Sequence, residues 1–354
     1  MSRPIRIGLL RLVDSAPVLV AQERGLFAGL GLNVEISIEP SWANLADKLT
    51  YGMLDAAVML PPLVLAAAIG LRGPPAKMVV VMGISQGGNT IVLGNRAADR
   101  VASPEQPSGR MVLEWLRSYR CANGRPPRFA VVHHFSTHNL LLRYWLAAAG
   151  ADPERHIETV VIPPEQIAEA LADGRIEGFC AGAPWGDVAQ AAGAGRILLG
   201  SSSVWPSHPE KCLALAGPWL DANPDSARLL VRALLEARQI CNTVNEAPAI
   251  AALLARENGL ALPAEPTRAA LPGGGAVEPV MFQPRAAAYP SAPHALWFLA
   301  QMRRWGWLSS QTDVDALVRR VYRPDVLEAE GLPPYLGAAG GGPVWMPSDF
   351  PTEV

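Results

Sequence analysis

The sequence predicts an α/β protein of two lobes, each a mostly parallel sheet flanked by helices, with a cleft between them. The first observation behind this is an internal repeat, the signature of a unit used twice. Residues 5–62 and 129–184 each read strand, capped turn, helix, strand, helix, strand and proline. Leu49, Gly52, Leu54 and Pro62 line up with Leu171, Gly174, Ile176 and Pro184 at one constant offset. The second is the alternation of strand and helix within each copy, which builds parallel strands through helical crossovers. The third is where such sheets hold their ligands, beyond the carboxyl ends of the strands. Two similar lobes facing one another at those ends enclose a cleft, the architecture of a hinged binding protein. Residues 1–94 with 216–354 are expected to form the first lobe, and 95–215 the second.

The first copy runs IRIGLLR, a strand, then VDSAP, a turn, then VLVAQERGLFAGLG, a helix. LNVEISIEP, NLADKLTYG and LDAAVML continue it as strand, helix and strand, closed by Pro61-Pro62. A short helix (LVLAAAIG) and a strand over residues 78–83 lead to Ile84-Ser-Gln-Gly-Gly-Asn-Thr90 and a second β-run over 91–93. The paired glycines Gly87 and Gly88 let backbone approach a ligand closely, and Asn89 presents an amide beside them. A plain tight turn accounts for the same residues, and as a phosphate loop the segment lacks both GxxxxGK and a following helix. Residues 95–127 are punctuated by Pro and Arg, carry one helix near 112–119, and read as the crossover into the second lobe.

The second copy is built around RFAVVHHFSTHNLLLRYWLAAAG, residues 128–150. A β-run over 129–134 turns through Ser136 and Thr137, natural N-caps, into an amphipathic helix that Gly150 stops. His138 then lies in the first turn, where free backbone N–H groups and the helix dipole favour a small anion. A histidine that merely decorates a helix start is the alternative. IETVVIPP, EQIAEALADG and IEGFCAGAP complete the unit as strand, helix and strand. Beyond it come a helix (188–192), a strand (196–199), the return VWPSHPEKCLALAGPWL, and helices at 226–246 and 247–257. Residues 262–293 are expected to be a long functional or mobile loop. Helices at 294–305 and 314–322 close the fold, and the Gly- and Pro-rich tail after Pro333 is expected to be poorly ordered.

Composition narrows the function. A formal net charge of −2 gives no basic field for nucleic acid or anionic membrane. Of 30 basic residues only Lys48, Lys77 and Lys211 are lysine, and the arginines are scattered. Cys121, Cys180, Cys212 and Cys241 form neither a metal spacing nor a disulfide framework, and Cys180 sits in an apolar strand pattern. MSRPIRIGLL enters the first strand without a leader-like apolar segment, so a cytoplasmic protein is expected. MLPPLVLAAAIG is too short, and too rich in proline, to span a bilayer.

Several motifs then occur in order: Asp14-Ser-Ala-Pro17, Glu23-Arg-Gly-Leu-Phe27, Pro40-Ser-Trp42, Thr137-His-Asn139, Arg143-Tyr-Trp-Leu-Ala-Ala148, Phe179-Cys180, Pro184-Trp185 and His208-Pro-Glu-Lys211. With them the chain resembles the nitrate- and bicarbonate-binding proteins of the NrtA/CmpA group, which implies a type II periplasmic-binding-protein fold. The resemblance implies an oxyanion held by the indole of Trp42, the amide of Asn89, His138, a backbone N–H at Gly182, and Lys211. Gly88, Thr137, Pro184 and Trp185 are implied as the surrounding pocket. Asn89 stands where the nitrate transporter protein has a longer Gln. A solvated loop lysine would be the ordinary reading of Lys211, but in a chain this poor in lysine its place in the motif points to a compact charge facing a small anion. Ala183 stands where the family often has Glu, and Lys211-Cys212 offers no acid. Calcium-assisted bicarbonate binding is therefore not expected, and a planar monoanion, nitrate or nitrite, fits the donors. No cofactor, metal or catalytic residue is expected.

Without a leader, the chain resembles most the cytoplasmic NasS-type nitrate/nitrite sensors. That implies a partner, a NasT-type ANTAR antiterminator, held in the absence of ligand and released when the anion binds. The sensor itself makes no direct contact with nucleic acid and does not insert into a membrane. The alternative is the solute-binding component of a nitrate ABC transporter. An enzyme using Cys180 and His138 would lack a third, orienting group.

Overall fold

The computed structural model describes residues 3–101, 109–283 and 285–332. Its strands are β1 (Ile5–Leu9), β2 (Val34–Ile38), β3 (Ala56–Met59), β4 (Met78–Gly87), β5 (Asn89–Gly94), β6 (Arg128–Val131), β7 (Glu158–Val161), β8 (Gly178–Gly182), β9 (Gly195–Gly200), β10 (Pro209–Ala216) and β11 (Val280–Met281). They make two sheets, ordered β11-β4-β10-β3-β1-β2 and β7-β6-β8-β5-β9. The repeat is preserved in space. In each sheet the unit's first strand lies between its second and third, with all three parallel (β2-β1-β3 and β7-β6-β8).

Sequence explains the close packing of these layers. β1 is bordered by strands on both sides, and its apolar run leaves Ile7 and Leu9 fully buried. At Gly8 an added Cβ would lie 2.3 Å from Leu45 Cδ1 and 2.5 Å from Leu54 Cδ1, so a side chain there would force these two buried leucines to repack. The helix Thr137–Ala148 starts at Ser136, whose hydroxyl accepts from the Asn139 N–H at 3.1 Å, and is followed by Gly150 in the left-handed region (φ 79°). The β-run before it ends at Val131, short of His133 and His134.

The chain changes sheets sooner than residue 94. β4 belongs to the first sheet and β5 to the second, with only Gly88 between them. Gly87 (φ 65°) and Gly88 (φ 78°) hold the left-handed backbone that lets one extended segment leave one sheet and enter the other. The segment is therefore a crossover rather than a plain tight turn, and the 109–123 helix lies beyond it. The return comes before residue 215, between β9 and β10. The two crossings lie side by side, with Gly87 N–H donating to His208 O (3.2 Å) and Asn89 N–H to Ser201 Oγ (3.3 Å).

Residues 262–293 are more ordered than their composition suggests. They include the Ala264–Ala270 helix and β11, which pairs with Gln86 and Gly87 of β4. Just before β11, the buried Glu278 accepts from Ser201 Oγ (3.1 Å), Ser202 N–H (3.1 Å) and Ser202 Oγ (2.5 Å), which ties this segment to the return crossing. The tail after Pro333 lies outside the described residues. No helix among the described residues is long and apolar enough to cross a membrane.

Candidate functional site

Five elements deliver the five residues expected to hold an anion, and the structure gathers them around one point. Trp42 opens its helix behind the N-cap Ser41, which accepts from Asn44 N–H at 3.1 Å. His138 is the second residue of the Thr137–Ala148 helix. Asn89 begins β5 and pairs in register with Gly182, the last residue of β8. A Cβ on Gly182 would lie 3.4 Å from both Asn89 Oδ1 and His138 Nε2, so glycine there leaves room between them. Lys211, on β10, places its Nζ 5.6 Å from the centre of the Trp42 ring. Trp42, Asn89, His138 and Lys211 are all at most 1% exposed.

Two carboxylates that were not expected stand among them. Glu210 is fully buried and accepts from Lys211 Nζ (2.5 Å) and Asn89 Nδ2 (2.6 Å). His138 Nε2 lies 3.3 Å from Glu210 Oε1, out of line for a hydrogen bond, and His208 Nδ1 lies 3.6 Å from Oε2. Asp14 Oδ2 is 3.6 Å from Lys211 Nζ, and Ser85 Oγ donates to Asp14 Oδ1. The expectation of no acid beside Lys211 is thus overturned. Both residues lie inside quoted motifs, Asp14-Ser-Ala-Pro17 and His208-Pro-Glu-Lys211. Strand alternation hid Glu210, because neighbours on a regular strand face opposite sides of the sheet. In β10 the register slips on both sides of Lys211, and Glu210 and Lys211 reach the same site.

The surrounding pocket differs in part from expectation. Thr137 Oγ1 is buried at the site without a hydrogen-bond partner. Gly88 acts through its backbone, its carbonyl accepting from Ala183 N–H at 2.8 Å. Pro184, joined to Ala183 by a cis peptide bond, is the N-cap of the Trp185–Ala191 helix. Trp185 does not turn its indole N–H to the anion site, because that group donates to Arg11 O of the first lobe at 3.0 Å. Val13 N–H reaches Ala183 O across the same seam at 3.1 Å.

Burial sets the charges. It drives the His138 pKa well below the usual value, helped by Lys211 and His208, and brings His208 down to about 4, so both imidazoles are neutral near pH 7. Burial works against the Lys211 ammonium, but Asp14 and Glu210 outweigh it and the pKa is raised. The Asp14 pKa is raised, chiefly by burial, against the pull of Lys211. Trp42 Nε1, both ring nitrogens of His138, Asn89 Oδ1, Thr137 Oγ1 and Asp14 Oδ2 are buried without a hydrogen-bond partner. Buried polar atoms ordinarily find partners, so this cluster is arranged for a small polar guest. Among the described residues no group of His, Cys, Asp and Glu is placed to hold a metal ion. Cys180 lies buried in β8 with its thiol pKa pushed up by desolvation, the reverse of what a nucleophile needs.

Two similar α/β lobes joined by paired crossings, with a sealed polar site between them, define the solute-binding-protein class. The chain belongs to the NMT1-like family, whose pattern matches residues 2–255. It is 31% identical over 340 residues to the nitrate/nitrite binding protein NrtA of Synechococcus elongatus, covering 91% of this chain and 76% of that protein. It is 34% identical over 360 residues to the nitrate import ATP-binding protein NrtC of the same organism, covering 99% of this chain and 52% of that protein. The chain therefore spans about half the length of the NrtC relatives it matches. The crystal structure of the periplasmic nitrate-binding protein NrtA from Synechocystis PCC 6803 superimposes with a TM-score of 0.85 at 28% identity, covering 93% of this chain and 91% of that one. The alkanesulfonate-binding protein SsuA from Xanthomonas axonopodis, at 19% identity and a TM-score of 0.65, shares the fold.

Proposed function

We propose that this chain binds nitrate or nitrite in the closed cleft and serves as a cytoplasmic sensor. In this reading it holds an ANTAR-type transcription antiterminator and releases it when the anion arrives, so controlling nitrate assimilation genes. The observation that carries the anion reading is the convergence of Trp42 Nε1, His138 and Lys211, two of them with unpartnered buried nitrogens, around one buried point. The kinship with proteins named for nitrate and nitrite supports the choice of anion. A dianion would meet Asp14 and Glu210 with only one ammonium to answer them, and uncompensated buried charge is costly. Sulfate is therefore expected not to bind.

The test has two parts. Calorimetric titration should show binding of nitrate or nitrite and none of sulfate, and tight sulfate binding would sink the anion assignment. Light scattering of the chain mixed with a receiver-ANTAR protein should show a complex that dissolves on adding nitrate or nitrite. A complex that survives saturating anion, or none at all, would favour the second reading, the solute-binding component of a nitrate ABC transporter. The periplasmic NrtA structure is the observation that supports that alternative.

A further inference from the structure

Two of the five groups expected to hold the anion already hold something, and a third stands close by. Lys211 Nζ and Asn89 Nδ2 donate to the Glu210 carboxylate, and His138 Nε2 stands 3.3 Å from it. A carboxylate is a planar pair of oxygens carrying one negative charge, the same chemistry that nitrate or nitrite would present to these donors. Glu210 has little freedom to leave, since its side chain is fully buried and the chain is fixed on either side by Pro209 and the buried Lys211. The charged and titratable groups facing it are Asp14 from the turn after β1, His138 from its helix, Cys180 from β8, His208 from the return crossing, and Lys211 and Cys212 from β10 itself. Behind His208 stand Glu278 and His294. Among those at the site only Lys211 is a cation, and it already faces two carboxylates.

We propose that Glu210 is a built-in competitor for the anion site, and that the protein takes up one proton onto the Glu210 carboxylate for each oxyanion it binds. This rests on the anion-binding reading above. Bringing a second anion beside an ionised Glu210 in a sealed site would leave two like charges in contact, which a shared proton relieves. The proton comes from solvent and forms an O–H bond on Glu210. The side chain is thereby converted from an acceptor that occupies the donors into a donor that faces the incoming anion. Release of the anion returns the proton, and the carboxylate takes back Lys211 and Asn89. Affinity for a permanent monoanion then falls as pH rises, whereas an oxyanion that carries its own proton brings the needed hydrogen with it.

The experiment is titration of the full chain with sodium nitrate and sodium nitrite between about pH 6 and 9, in two buffers of different ionisation enthalpy. By linkage, uptake of one proton per anion weakens binding by about tenfold for each unit rise in pH. The heats should differ between buffers by the amount that one proton per anion requires. Glu210→Gln copies the protonated side chain, so it should bind nitrate more tightly than the parent at the alkaline end, with a flat pH profile. Parent protein that binds nitrate with the same affinity and the same heat at every pH and in both buffers overturns the inference and leaves the anion reading standing. A folded Glu210→Gln that binds more weakly than the parent also overturns it. If the parent binds neither anion at any pH, the anion reading itself fails, and the inference with it.

Discussion

At the scale of single residues, Lys211 is a buried cation held between Glu210 and Asp14. A solvated lysine can be removed without harm, but this one leaves two buried carboxylates unpaired. Lys211→Ala is therefore expected to lose nitrate binding and also about 3–5 kcal/mol of stability near pH 7. Without the ammonium, Asp14, whose pKa burial already raises, is pushed further up. The variant is then nearest the parent in acid and loses ground as pH climbs through the raised Asp14 value, which urea titrations at several pH values will show. The parent has an acid limit of its own. His138 and His208 are depressed in the folded state, so the unfolded chain binds more protons below about pH 6.5. Their contribution is complete above that pH and falls as pH drops, by up to about 1.4 kcal/mol per unit for each histidine. Asp14, whose pKa is raised, works in the opposite sense and blunts the slope. Thermal melts from neutral to mildly acid pH measure the net effect, and a melting temperature that climbs on acidification would contradict it.

At the scale of elements, the site depends on two helix starts and one crossing. Ser136 caps the helix that carries His138, and its hydroxyl is the acceptor for the buried Asn139 N–H. Ser136→Ala should cost about 1–2 kcal/mol in denaturant and weaken anion binding by disordering the turn that aims His138. At Gly88 an added Cβ would lie 2.6 Å from Val280 Cγ2, a methyl that can move, whereas the positive φ remains. Gly88→Ala is therefore expected to lose roughly 1–2 kcal/mol, set by the left-handed backbone rather than by the contact. The start at Ser136 was legible, because Ser followed by an apolar helical period is a local signal, whereas the helix that begins at Trp42 was read only from Asn44. The crossing was not legible. A single extended run that serves two sheets reads along the sequence as strand, turn and strand, since nothing local tells which sheet each half will join.

For the whole molecule, the decisive fact is that the candidate site is sealed. Asn89 and His138 have no exposed surface, so an anion enters only when the lobes part. The seam is closed by Trp185 Nε1 to Arg11 O, Val13 N–H to Ala183 O, and the ion pair Arg11–Glu165 at 3.2 Å. That ion pair is substantially exposed and contributes little. The indole bond is sheltered, and Trp185→Phe removes it while keeping most of the apolar ring. Closure should weaken by about 1 kcal/mol, lowering nitrate affinity by up to about tenfold without touching a group that faces the anion. Small-angle scattering would show a larger ligand-free particle than the parent, and unchanged scattering with unchanged affinity would count against the seam. If a partner grips the open arrangement, the same substitution should strengthen that complex, because anion and partner draw on one equilibrium in opposite directions.

What the sequence determined by itself was the repeat and the alternation of strand and helix within each copy, while the grouping of Trp42, Asn89, His138, Gly182 and Lys211 was implied by the family resemblance. The repeat and the alternation rest on short-range signals, namely hydrophobic period, a capping serine and glycines at fixed offsets, which survive without knowledge of neighbours. Only the tertiary structure decided that Trp185 serves the seam, that residues 262–283 buttress the return crossing through Glu278 and β11, and that Glu210 lies among the anion's donors. All three depend on contacts between segments remote in the chain, and the last on register slips beside Lys211 that put two adjacent residues at one site. Where a side chain points on an irregular strand is settled by the partner strand, and the partner is a property of the fold.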